Sequence, residues 1–440
     1  MALTDFAIIR RSMFGRMFST VTTIITVTVA VALMLTLLSL RDSGRQAFER
    51  GTGNMHFLIS RDPSSLVSVL NGVYYANPPQ QVIPWAKYEQ IANEPRNFLF
   101  DADDDPSNDT EVPPGFAIPI AVGDSYRSLP VVGTTSEYFR LFHPTVDGPF
   151  QIAEGKLFDG NFQVVVGARA AQIAGLSLGD RIALTHGTGQ SAHLHQEYPF
   201  EVVGILDPTA SPHDRVLYVT LESSWIIHAH DRRIARGGPE DDLATAEDIS
   251  EEDRLVTGIY ARVATRPGRS VSAALQTVQN QLRADTSINV AQPAAEVGRL
   301  FSIVSNIDQV FLGMAAVVML SSGIAIMLAM YNSAEQRRRQ IAILRVLGCS
   351  RPRIFGLVMT ESAIIGLIGA AGGILVSAFA TDLVAGIMRE RLGVIVTPSV
   401  GAKWTLSIIM ATVFLACVAG LVPSIMAYRT PVARNLRPVG

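Results

Sequence analysis

Cysteine is nearly absent from these 440 residues. Cys349 and Cys417 are the two present, and positions 41–308 hold none. That long region must therefore be stable without an internal disulfide, and a zinc site in it could draw only on His, Asp and Glu. A phosphate-binding loop is missing too. The single Gly-Lys pair, Gly155-Lys156, has neither the upstream glycine nor the following Ser or Thr that would wrap a nucleotide. No nucleophile–base motif stands out between 41 and 308, so the chain reads as a non-enzyme, and if ATP drives it another chain hydrolyses that ATP. The net charge of −3 says little by itself.

Uncharged apolar runs are abundant. They cover Met17–Leu40, Gln309–Ala334, Ser362–Thr381 and Trp404–Tyr428, each as long as the roughly 20 helical residues that cross a bilayer. Lipid offers the backbone no partners, so helices are the expected solution. The first run exceeds the apolar core of a cleaved signal and no Ala-x-Ala-like site follows it. The expected fold is a membrane protein of four transmembrane α-helices in a one-plus-three arrangement, with a large α+β extracytoplasmic domain between helices 1 and 2.

The flanks set orientation. Arg10, Arg11 and Arg16 precede the first run, Arg337, Arg338, Arg339, Arg345, Arg351 and Arg353 lie between the second and third, and Arg429, Arg434 and Arg437 follow the fourth. The short loop between the third and fourth runs has only Arg389, Arg391 and Lys403. Basic residues favour the cytoplasmic side, so both termini are expected there. This bias explains the basic residues as topology determinants and argues against nucleic acid as a partner. The segments are then a cytoplasmic N-terminus at 1–16, helices at 17–40, 309–334, 354–385 and 404–428, an outward domain at 41–308, cytoplasmic segments at 335–353 and 429–440, and an outer loop at 386–403.

In the outward domain, residues 41–60 are expected to extend the first helix and then form a strand at Met55–Ser60. The acidic run Asp101–Glu111 lacks the spaced ligands and central glycine of a calcium loop and reads as a solvated surface loop. Strands are expected at Phe116–Val122, Leu129–Gly133, Phe162–Gly167, Arg181–Thr185, Phe200–Leu206, Val216–Thr220, Gly258–Ala264 and Ile288–Ala291. Helices are expected at Ser136–Leu141, Ala168–Ala174, Leu221–His230, from Ser270 to Ala284, and from Pro293 into the membrane. Residues 231–254 read as a long loop or loose helix. The region is long enough for two subdomains.

The segment Glu335–Glu361, EQRRRQIAILRVLGCSRPRIFGLVMTE, is the most specific local signal. Ile341, Leu344 and Leu347, with Ile343 beside them, form an apolar face, and Arg337, Arg338, Arg339 and Arg345 take the remainder. Gly348 suits a helix end, and Ser350 and Pro352 the next start. Here the chain resembles the MacB/FtsX-like permeases, subunits of ABC systems of the mechanotransmission type. The resemblance rests on this block, on the tail GLVPSIMAYRTPVARNLRP, on the one-plus-three layout, and on VVGTTSEYF, VVVGARAAQIAGLSLGDRIAL and FEVVGIL. It implies that Arg337–Arg353, with Arg351 included, forms a coupling helix against an ABC ATPase subunit. It also implies a permease homodimer, with a periplasmic adaptor or lipoprotein and membrane lipid as further partners, in a bacterial inner membrane.

Three other features carry candidate roles. Ser362, Gly366 and Ala370, and likewise Gly369, Gly373 and Ser377, are spaced by four, which lets helices approach closely, within one chain or between two. Glu361 is an acid inside an apolar span, expected to be paired or functional; neighbouring arginines are the simplest partners. Apart from it the spans are nearly free of ionisable groups, which argues against a polar channel. Six of eight histidines fall between His186 and His230. His186, His193, His195 and His213, with Asp214, are the candidate ligands for zinc or haem, against a plain polar surface loop. The leading reading is a permease subunit that uses a partner's ATP hydrolysis to move its outward domain, for export or for extraction of a substrate at the outer leaflet. A mechanotransmitting regulator of an envelope enzyme is the alternative, and metal or haem efflux the weaker one.

Overall fold

The computed structural model describes residues 5–93, 115–145, 148–186, 193–239, 241–264, 274–392 and 401–429. The acidic run Asp101–Glu111 and most of the C-terminal tail lie outside the described residues. The chain divides into two compact units: 1–44 with 304–387 and 396–440, and 45–303 with 388–395.

The first unit is helical. A short helix, Asp5–Phe14, precedes Met17–Gly51; Pro293–Gln336, Arg338–Val346, Arg351–Leu392 and Ala402–Arg429 complete it. Four of these helices are long and apolar enough to cross a membrane. Their shared core is built from Val27, Val31, Leu35, Ile326, Met330, Ile365, Ile408 and Ala416. The opposite faces leave Phe18, Leu375, Phe379 and Phe414 at least 70% exposed, which suits lipid contact rather than water. Polar side chains on the spans turn inward or back onto their own helix. The Thr22, Thr26 and Ser321 hydroxyls donate to the carbonyls of Phe18, Thr22 and Val317, so each of these three hydroxyls is satisfied within its own helix.

The second unit is α+β. Nine strands lie side by side in the order Asn289–Ala291, Phe57–Ser60, Gly258–Arg262, Phe116–Tyr126, Leu129–Thr134, Leu217–Thr220, Gln163–Val166, Phe200–Leu206 and Ile152–Gly155. Arg181–Ile182, Thr185–His186 and His193–Leu194 attach to this path. The strand Phe116–Tyr126 joins the two halves of this path, pairing through Phe116–Ile120 with Gly258–Arg262 and through Ala121–Tyr126 with Leu129–Thr134. Two pairings are parallel, Leu129–Thr134 with Leu217–Thr220 and Gln163–Val166 with Phe200–Leu206. Val164, Val165, Val166, Leu217, Tyr218 and Val219 are all fully buried, as expected of central strands covered on both faces. The long hairpin Phe116–Thr134 turns at Arg127 and Ser128, both at positive φ (48° and 66°), the geometry that matches strand twist in a two-residue turn.

Residues 231–254 are more ordered than their polarity suggests. The helix Leu221–Ala235 runs five residues past the expected end at His230. Arg232 donates from Nε and Nη2 to the two oxygens of Asp253, at 2.8 and 2.7 Å, and Asp253 also takes the Ser250 amide and hydroxyl. The helices Ser65–Gly72 and Trp85–Asn93 and the exposed edge strand Ile152–Gly155 were not expected from the sequence.

Candidate functional site

The Arg-rich segment forms a helix of nine residues, Arg338–Val346. A single residue, Arg337 (φ −102°, ψ 8°), separates it from the helix Pro293–Gln336. It ends as Gly348 permits. At φ 95° this glycine donates its amide to Arg345 O, and Cys349 donates to Leu344 O, the paired bonds of a Schellman cap. The next helix begins at Arg351.

Ile341 and Ala342 are buried, Ile341 against Ile354 and Ala427. Leu344 is half-buried. Leu347 is not on that face: it is 77% exposed, with Val346 at 63% and Ile343 at 44%. Six residues of helix place Leu347 about 120° from Ile341, so the apolar face expected from the sequence divides into an inward and an outward part. Arg338 and Arg339 are exposed beside the outward part.

Behind this helix lies a buried ion cluster. Glu361 is 4% exposed. Its Oε1 accepts from Ser12 Oγ and from Arg16 Nη2, both at 2.8 Å, while Arg337 Nη1 stands 3.9 Å from Oε2. One carboxylate thus joins the short N-terminal helix, the start of the first span, the break before the Arg-rich helix, and the third span. Such an acid is tolerated in an apolar setting because cations face it. Arg353 adds an exposed contact to Asp5, at 2.6 Å. Ser12 was not singled out in the sequence, and Arg16 was named there only as a topology determinant. The signal that could have found them is the lone Glu361, which demands a cation at similar depth.

The small residues of the third span face neighbours within the chain. A Cβ on Gly366 would lie 2.6 Å from Ala416, and one on Gly369 or Gly373 would lie 2.5 Å from Val27 or Val31. Ser377 accepts from Thr36 Oγ1 at 3.2 Å. Ser362 packs beneath Gly420, and Ala370 is buried. Ser362 and Gly366 thus pack against the fourth span and Gly369, Gly373 and Ser377 against the first, the within-chain use of this spacing.

The histidines separate. His186 and His193 face each other in strand register, and their side chains lie outside the described set. His195 is buried, with Nδ1 2.8 Å from Glu197 Oε1 and Nε2 3.7 Å from Asp231 Oδ2. His213 sits elsewhere, in an aromatic core with Tyr138, Phe142 and Phe150. Its Nδ1 accepts from the Tyr75 hydroxyl at 2.8 Å, and its Nε2 donates to Gly51 O, the last residue of the first long helix, at 3.0 Å. Burial lowers its pKa to about 4. Both ring nitrogens are committed, and Asp214 is taken up by Thr209 and Ala210. His213 and Asp214 therefore leave the expected ligand set. Among the described residues, no three His, Cys, Asp or Glu stand close enough to hold a metal.

Four spans, an α+β region between the first two, and a basic helix after the second now stand together. Residues 20–281 match the MacB-like periplasmic core domain, and residues 312–432 the FtsX-like permease C-terminal domain. The chain belongs to the FtsX/MacB-like family of ABC transporter permeases. It is also 26% identical over 330 residues to an uncharacterized ABC transporter permease protein of Mycobacterium tuberculosis. That match covers 72% of this chain and 34% of the relative, so the permease spans about a third of the relative's length.

Proposed function

We propose that this permease is the membrane-spanning subunit of an ABC-type complex in a bacterial inner membrane, with both termini and the Arg338–Val346 helix in the cytoplasm. An ATPase on a partner chain docks on that helix, and its hydrolysis cycle moves the α+β domain for export or for extraction of a substrate at the outer leaflet. As the family resemblance implies, the permease works with a second copy of itself. The observation that carries the reading is the outward apolar patch of Ile343, Val346 and Leu347 beside Arg338 and Arg339. An exposed apolar patch with a basic rim on a short, capped helix fits a partner surface. Arg337 gives the partner's push a route inward, because its side chain faces Glu361 and, through it, Arg16.

The test is co-purification and ATPase assay of the complex with Leu347→Asp, and separately with Arg338→Glu plus Arg345→Glu. The expected result is loss of ATPase association, or of its stimulation by the permease, by about tenfold or more, with membrane insertion intact. Unchanged association would remove the docking role, and loss of insertion would reduce the segment to a topology signal.

A further inference from the structure

Two of the three tryptophans of the chain, Trp85 and Trp225, meet at a cleft of about 500 Å³ in the α+β unit. That size lies within the range of about 300–1,000 Å³ typical of small-molecule sites. Trp85 opens the helix Trp85–Asn93 and Trp225 sits one turn into Leu221–Ala235. Their ring centroids are 4.9 Å apart and their planes cross at 76°, so the two indoles form a corner. Both are half-buried and fixed in orientation. Trp225 Nε1 donates to Leu255 O and Trp85 Nε1 to Glu89 Oε1, each at 2.9 Å. With both N–H groups committed inside the chain, the rings present apolar surface to the cleft.

The rest of the rim is polar. Thr220 Oγ1 donates to Asn161 Oδ1 at 3.1 Å, and Asn161 Nδ2 donates to Glu222 Oε2 at 3.0 Å. Glu222 lies three residues before Trp225 and therefore on the same helix face. It accepts no other hydrogen bond among the described residues. Ser136, exposed on the lining, precedes the helix Glu137–Leu141 without capping it. Asp159 pairs with Lys156 and Arg254 with Glu251, which leaves Glu222 as the acid of this lining with no cation beside it among the described residues. Glu222 is exposed, where pairing with a charged guest gains little. Its worth is as a hydrogen-bond acceptor.

A fitting guest is therefore apolar on one face, hydrogen-bonding at its edge and uncharged. A hydrocarbon would leave the polar rim without partners, and a hydrated ion would leave the indoles unused. A pyranose ring has the required make-up, with C–H groups on its faces and hydroxyls around its edge. We propose that this cleft binds a neutral saccharide, with a sugar ring against the Trp85–Trp225 corner and its hydroxyls bonded by Glu222 and Ser136. Asn161 holds Glu222 in place. Occupancy is read without ATP or the partner ATPase, so its failure leaves the coupling reading standing.

The experiment is a tryptophan-fluorescence titration of the full chain in lipid nanodiscs, carrying Trp404→Phe so that the two cleft indoles report. The probes are cellobiose, maltose and N,N′-diacetylchitobiose, followed by the hexamer of whichever binds. A saturable response to at least one disaccharide is expected. Tighter binding of the hexamer assigns the site to a glycan chain, and equal binding to a free sugar. Trp225→Ala should abolish the response, and Glu222→Ala should weaken it by about tenfold or more. Because Glu222 is exposed, its variant decides the matter if Trp225→Ala does not fold. No saturable response to any of the disaccharides, or a response unchanged in Glu222→Ala, would overturn the proposal. Tighter binding of an oligoproline peptide than of every sugar would overturn it in favour of a peptide site.

Discussion

Glu361 Oε1 and Arg16 Nη2 are 2.8 Å apart, although 345 positions separate the two residues in the chain. Removing the negative charge should leave Arg16 and Arg337 facing each other with no counter-ion. Glu361→Gln is therefore expected to destabilise the membrane unit by about 3–5 kcal/mol, the usual cost of breaking a buried pair. Adding Arg16→Gln to that variant should recover part of the loss, with a coupling of at least about 1 kcal/mol in the double-mutant cycle. Thermal unfolding in nanodiscs measures both. Additive effects would show that the two side chains do not act together.

Gly373 meets Val31, and Gly386 meets nothing within 4 Å. Gly373→Val should cost about 1–3 kcal/mol from overpacking. Gly386→Ala should be neutral or stabilising by up to about 1 kcal/mol through helix propensity. If the small-residue face served contact between copies instead, Gly373→Val would shift the oligomeric state and leave the unfolding of the monomer unchanged. Light scattering and thermal melts separate the two.

The α+β domain should lose stability as pH falls from 6.5 to 4. Burial lowers His213 to about 4, and burial with the Arg262 charge does the same to His56. Between pH 6.5 and 4 the unfolded chain binds protons that the folded domain does not, so stability is complete above pH 6.5 and declines below it. His213, being fully enclosed, accounts for about 3 kcal/mol of this change. His213→Gln should lower stability at pH 7 and flatten the slope between pH 4 and 6.5. A slope unchanged in His213→Gln would assign the effect to other groups.

Asp253 is 3% exposed and holds both Arg232 and the Ser250 turn. Asp253→Asn should cost roughly 3 kcal/mol, because the arginine loses its bidentate acceptor. It should also open residues 236–254 to proteolysis before the rest of the domain unfolds. Limited trypsin digestion followed over time reads the order of cleavage.

What was legible in the sequence follows the range of the forces involved. The four spans and the strands Phe200–Leu206 and Leu129–Thr134 announce themselves by local apolar pattern, and Gly348 announces a helix end because only one backbone conformation needs it. The strand Ile152–Gly155 is exposed at all four positions, so it has no apolar alternation to read. The spacing of Gly366, Gly369 and Gly373 was visible, but identical spacing serves packing inside a chain or between chains. His213 lay in a histidine-rich stretch that suggested ligands. Nothing local tells that its ring turns inward to Tyr75 and Gly51. Glu361 was recognisable as an acid out of place, and its arginine Arg16 was not, because that pairing depends on tertiary proximity alone.

The carboxylate that Arg16 contacts also fixes an order of events during synthesis. At about 5–20 residues per second, the ribosome needs roughly 20 to 70 s to extend the chain from Arg16 to Glu361, 345 residues later. Throughout that interval the first helix is in place without this counter-ion, and the whole α+β domain is made before it exists. The cluster can close only when the third span enters the bilayer, which makes it a late checkpoint of assembly. A chain stalled between Arg337 and Glu361 carries two arginines that this carboxylate has not yet met, a mark by which an unfinished copy differs chemically from a finished one.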